Sequence, residues 1–172
     1  GSRCFINGDY AFIASPFWRV ISGSNYGIVW VYGKNFGGTD NWGFIQYILT
    51  KDHTTASEFG WSLSADGDYL SVGARGKDTT ATNSGAMYIY KKLIDYGTGL
   101  NKIIASDGQS ADNFGNSISV DTNYLIVGAP KEDTQGVEAG AAYIYRRTGT
   151  NTWDAGVKLT APDGVAGAQF GY

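Results

Sequence analysis

Polar and apolar residues alternate along this chain in short bursts. From Asn116 to Val120 the stretch "NSISV" sets polar against apolar residues one by one, which predicts a strand with one buried face. After a turn, "YLIVGA" from Tyr124 to Ala129 is almost wholly apolar, as a strand covered on both faces would be. A polar loop of about ten residues leads to a third run, "GAAYIYR" from Gly140 to Arg146. A turn containing Gly or Asn then leads to a fourth, "VKLTAP" from Val157 to Pro162. No segment carries a helical period with caps. The pattern predicts an antiparallel, all-β chain.

This four-strand pattern occurs three times. Phe59, Phe114 and Phe170 recur at intervals of 55 and 56 residues, each followed by glycine (Gly60, Gly115, Gly171). Tyr10, Tyr69 and Tyr124 correspond, as do Gly27, Gly85 and Gly140, and Asp52, Asp107 and Asp163. The units run over 1–59, 60–114 and 115–172, the last including the first residues of a fourth. Four strands per repeat at this period predict the blades of a β-propeller. Between the first two strands, Asn7-Gly8 and Asp66-Gly67 predict type I′ hairpins.

The recurring residues carry a resemblance. "FG", then "VGAP" (Val127 to Pro130, with Gly128, Ala129 and Pro130) or "VGAR" (Val72 to Arg75, with Gly73 and Ala74), then "GAAYIY", a Trp and "KL" resemble the FG-GAP repeats. That blade type is also found in integrin α-subunit head domains. The resemblance covers the whole chain, although in the first unit "FIASP" (Phe12 to Pro16) replaces the VGAP segment. It implies that the repeated residues are scaffold. Gly73 and Gly128 let one strand approach its neighbour closely, and the FG phenylalanine packs between adjacent sheets. Metal-binding blades of the family carry a loop resembling Asp-x-Asp/Asn-x-Asp-Gly between the first two strands. Here the connections are "NGD" (7–9), "DGD" (66–68) and "DTN" (121–123), too short to converge six or more oxygens on calcium. The expectation is a non-calcium variety with no metal and no cofactor.

Composition fits this reading. The 172 residues include 25 Gly, 12 Tyr and only 3 Pro, as short strands joined by tight turns require. The net charge of −3 is scattered, with no basic cluster of the kind a nucleic-acid face needs. One cysteine, Cys4, excludes an intrachain disulfide. No apolar run is long enough to span a bilayer, so no direct membrane insertion is expected.

Candidate chemistry is sparse. Polar residues present in every unit (Asp52, Asp107, Asp163) read as turn or loop-capping carboxylates, and Asp78 and Asp133 read likewise. His53 is the sole histidine and stands where the other units have the Gly of a "DG" turn. Cys4 has no partner for nucleophilic chemistry. Catalytic residues are therefore not expected. What differs between units is aromatic: the first holds 13 of the 25 aromatic residues. Where units two and three carry "GKD" (76–78) and "KED" (131–133), unit one carries Phe17, Trp18 and Arg19. Such a triplet in a surface loop is a candidate interaction surface, for a protein partner or a stacked sugar ring, or packs against an adjoining blade or subunit.

The resemblance implies a non-catalytic, extracellular or cell-surface module for adhesion or assembly. Carbohydrate recognition, as a lectin or as the propeller of a polysaccharide-active enzyme, is the alternative. Propellers contain about four to eight blades. Three units are thus expected to leave two open faces. These would be met by further blades of a longer array, or by other copies in a ring or filament.

Overall fold

A computed structural model of the chain describes residues 3–20, 24–50, 56–92 and 99–172. Its strands form three successive antiparallel sheets, named blades 1 to 3. Blade 1 holds β1 (Arg3–Asn7), β2 (Tyr10–Ser15), β5 (Ile28–Lys34) and β6 (Trp42–Ile48) in that order. In its long loop lies a two-stranded ribbon, β3 (Arg19–Val20) with β4 (Ser24–Asn25). Blade 2 holds β7 (Leu63–Asp66), β8 (Tyr69–Ala74), β9 (Ala86–Lys91) and β10 (Gly99–Ile103). Blade 3 holds β11 (Ser117–Val120), β12 (Tyr124–Ala129), β13 (Ala141–Gly149) and β15 (Val157–Thr160), with β14 (Thr152–Trp153) paired to the far end of β13. The blades are of propeller type, and the three do not close a ring.

The hairpin turns differ from expectation. Asn7 pairs with Tyr10 and Asp66 with Tyr69, so the two-residue loops are Gly8-Asp9 and Gly67-Asp68 rather than Asn-Gly and Asp-Gly. The backbone φ is +57° at Gly8 and +52° at Gly67, while Asp9 and Asp68 stay at negative φ. That is the type II′ arrangement, in which only the first central residue needs the glycine region.

The core lies between sheets. One cluster joins Phe12, Val29, Val31 and Ile48 of blade 1 to Leu70, Val72, Tyr88 and Tyr90 of blade 2. The second joins Tyr69, Met87 and Ile89 of blade 2 to Leu125, Val127, Tyr143 and Tyr145 of blade 3. Blade 2 is covered on both faces, so all six residues of β8 are buried. Here β12 departs from its predicted burial: Tyr124 is 53% and Ile126 40% exposed, although Tyr69, at the place of Tyr124, is only 7% exposed. The strand is apolar on both faces, and one face is open.

Candidate functional site

Each FG pair lies in the seam between two blades. Phe114 N–H donates to Ser84 O (3.1 Å) and bridges Gly85 of blade 2, while its ring stands edge-on to Tyr143 (5.3 Å) and Tyr145 (6.3 Å) of blade 3. Gly115 N–H donates to Gly128 O of blade 3 (3.0 Å), and Gly115 O accepts from Ser62 Oγ of blade 2 (2.7 Å). The glycines are sterically required: a Cβ on Gly73 would lie 2.1 Å from Gly115 O, and one on Gly85 2.1 Å from Phe114 O. Phe59 and Gly60 repeat this at the first seam, with Tyr88 (5.6 Å) and Tyr90 (6.1 Å) as ring partners and Gly60 N–H on Gly73 O (2.9 Å). Phe170 and Gly171 form the half that belongs to blade 3. Phe170 bridges Gly140, and Gly171 O accepts from Ser117 Oγ (2.7 Å) beside Gly128. Ala74 and Ala129 are buried at the ends of β8 and β12, and Pro130 follows. These residues form a latch that joins blade to blade.

The second seam also holds an ionic cluster. Lys158 on β15 reaches Asp107 Oδ2 (2.6 Å) from blade 2, Glu132 Oε1 (2.7 Å) and Thr134 Oγ1 (2.8 Å). Tyr143 O–H donates to Asp107 Oδ1 (2.8 Å), and Thr134 donates to Glu132 through its N–H and its hydroxyl. Burial pulls the Asp107 and Glu132 carboxyls upward, but hydrogen bonds from Lys158, with Tyr143 or Thr134, outweigh it and hold both below their ordinary values. Burial likewise works against the Lys158 charge, and the two carboxylates outweigh it and raise its pKa. Burial, Asp107 and the nearby carboxylates push the Tyr143 hydroxyl far up, so it stays a donor. Neighbouring Asp112 goes the other way: burial and the charges of Glu132 and Asp133 outweigh the N–H bond from Gln109. The cluster directs its groups at one another, which suits a lock between blades rather than acid–base work.

Sequence reasoning missed this lock, because Asp107 reads as a turn residue. The available signal was Lys102 and Lys158, at the same place in the fourth strands of units two and three. Asp78 and Asp133 do cap their loops, accepting from Asn83 N–H (2.8 Å) and Glu138 N–H (2.7 Å). Asp163 is exposed, and Asp52 and His53 lie outside the described residues.

Phe17 and Trp18 turn to different neighbours. Exposed Phe17 leans edge-on to Trp61 of blade 2 (6.1 Å), whose ring is covered by Arg75 at 3.1 Å. Trp18 packs on Trp30 (6.4 Å) at the outward face of blade 1, and Arg19 opens β3. Trp18 holds the place of Lys77 and Glu132: its carbonyl accepts from Gly27 N–H as theirs do from Gly85 and Gly140. By register, Trp30 stands where blades 2 and 3 have Tyr88 and Tyr143, and Tyr47 where they have Lys102 and Lys158. Thus blade 1 replaces the polar set of blade 3 with Trp18, Trp30 and Tyr47, and Phe44 packs on Trp30 and Tyr32 at 5.9 Å each.

Where the inner strands converge, Arg3, Cys4, Ser62, Leu63, Asn116 and Tyr172 line an open cleft of about 300 Å³. Cys4 is free and exposed. Among the described residues, no group of three or more His, Cys, Asp or Glu side chains is placed to hold a metal ion.

The family model described as FG-GAP repeat matches residues 42–90 and 98–145, more than half of the chain. Each match begins at or just before the fourth strand of one blade and ends in the third strand of the next, with an FG latch inside it. No curated protein matches the chain. Latch, seam glycines and family match agree, and the chain belongs to the FG-GAP repeat family.

Proposed function

We propose that this chain is a non-catalytic scaffold for protein association, in adhesion or assembly outside the cell or at its surface. One observation carries the reading. The outward faces of blades 1 and 3 present apolar side chains: Ile6, Phe44 and Tyr47 on one, Tyr124, Ile126 and Val157 on the other. Contiguous apolar surface of this kind marks an association site. The ionic cluster at the second seam is committed to holding blades together, and the FG-GAP likeness to integrin blades favours an extracellular setting.

The test is a hydrophobic dye set against a glycan panel. The native chain is expected to enhance the emission of the anionic dye ANS, and the double substitution Ile126→Glu, Val157→Glu to lower that enhancement. No oligosaccharide is expected to shift tryptophan emission. A native chain that leaves the dye dark would remove this reading, and a saturable emission shift with one sugar would replace it with carbohydrate recognition.

A further inference from the structure

The two open faces are not equivalent halves of one seam. Blade 3 presents outward what blades 1 and 2 bury against the next blade. Phe170 already bridges Gly140, Gly171 O is already held by Ser117, and Gly128 lies beneath it with no room for a Cβ. The outward face of blade 1 departs from the receiving faces of blades 2 and 3. Those offer a Tyr pair to the latch phenylalanine; Gly99 pairs with Tyr90, and Gly156 lies under the Tyr145 ring. In blade 1, Phe44 stands opposite Tyr32. Its ring lies 5.9 Å from both Trp30 and Tyr32, the spacing that Phe59 and Phe114 adopt from their tyrosine pairs across the seam. Blade 1 therefore supplies from its own sheet the contact that a latch would bring. It also lacks a lysine at the place of Lys158, the cation that holds the incoming Asp107.

Building on the association reading, we infer that the outward face of blade 3 selects its partner. It takes a further FG-GAP blade whose third strand carries Tyr-x-Tyr and whose fourth carries a lysine opposite the first tyrosine, and it rejects blade 1 of a second copy. Continuity with the second seam argues this: Asp163 holds in unit three the place of Asp107, and needs that lysine and tyrosine hydroxyl on arrival. Facing Trp18, Trp30 and Tyr47 it would be buried without a cation.

The test extends the native chain past Tyr172, once with a copy of residues 117–172 and once with a copy of residues 3–61. Amide hydrogen exchange then reports on the segment around Gly171. With the 117–172 copy, protection there is expected to rise about 100-fold, since docking converts local fraying into global opening. The 3–61 copy is expected to leave that protection within about two-fold of the native chain. Asp163→Asn is expected to take back about ten-fold of the gain in the first extension. Placing Trp18→Glu, Trp30→Tyr, Phe44→Gly and Tyr47→Lys in the appended 3–61 copy is expected to restore protection. Equal protection by the two extensions, or none from the 117–172 copy, overturns the inference. If the native chain leaves the dye dark, the association reading itself fails, whatever the extensions do.

Discussion

Phe114 and Phe170 are held by the same backbone bridge, yet the ring of Phe114 is fully buried and that of Phe170 is 37% exposed. Truncation should separate them. Phe114→Ala is expected to cost about 3–5 kcal/mol and Phe170→Ala less than about 1 kcal/mol, read from urea unfolding midpoints. Comparable losses would mean that the ring does not act through the following blade. Glycines divide in the same way. Gly67 lies at a φ of +52° with nothing within 4 Å of where a methyl would stand, so Gly67→Ala should show backbone strain alone, about 1–2 kcal/mol. Gly73→Ala drives a methyl into Gly115 O and Ser62 Oγ, both 2.1 Å away, and must part the seam. It should cost more than Gly67→Ala, although its φ is unexceptional. The reverse order would place the importance of Gly73 in its backbone freedom.

At the scale of strands and seams, the ionic cluster makes stability depend on pH. Asp107 and Glu132 have folded-state values below their ordinary 3.8 and 4.5. Their contribution is complete above those ordinary values and is lost as the pH falls through the lowered ones. Lys158, raised above 10.5, contributes fully below that value and loses its share as pH rises through the folded one. Asp112, with its pKa raised, opposes the first trend by costing stability once the pH passes its ordinary value. Asp107→Asn is expected to lose about 1 kcal/mol at pH 7, kept small because Asp107 is half-exposed and screened, and to flatten the loss as the pH falls below 3.8. An unchanged acid limb in the variant would assign the dependence elsewhere.

The main strands were legible in the sequence because the first of a unit alternates and the second is a short apolar run, and glycines mark the first two hairpins. Turn type was not, since the dipeptides Asn7-Gly8 and Asp66-Gly67 do not reveal which residue ends the strand. The lock at Asp107 was hidden for another reason: its partners Tyr143 and Lys158 lie 36 and 51 residues away in the next blade, and only the sheet register brings them together. In the triplet Phe17-Trp18-Arg19, adjacency in sequence does not say that Phe17 turns to Trp61 and Trp18 to Trp30.

For the whole molecule, the three blades share two seams and leave two apolar faces, one complete in its half of the latch and one filled by its own aromatics. Burying either face removes surface that the native chain exposes, so association should follow concentration and weaken when a face gains charge. Light scattering after size-exclusion chromatography measures this most directly, on the native 172-residue chain and on Ile126→Lys, Val157→Lys across a concentration series. Because blade 3 rejects blade 1, two copies meet blade 3 to blade 3: the native mass is expected to climb above one chain as concentration rises, and the variant to stay at one chain while unfolding as cooperatively as the native protein. A native chain that remains a soluble, cooperatively folding monomer throughout would contradict it.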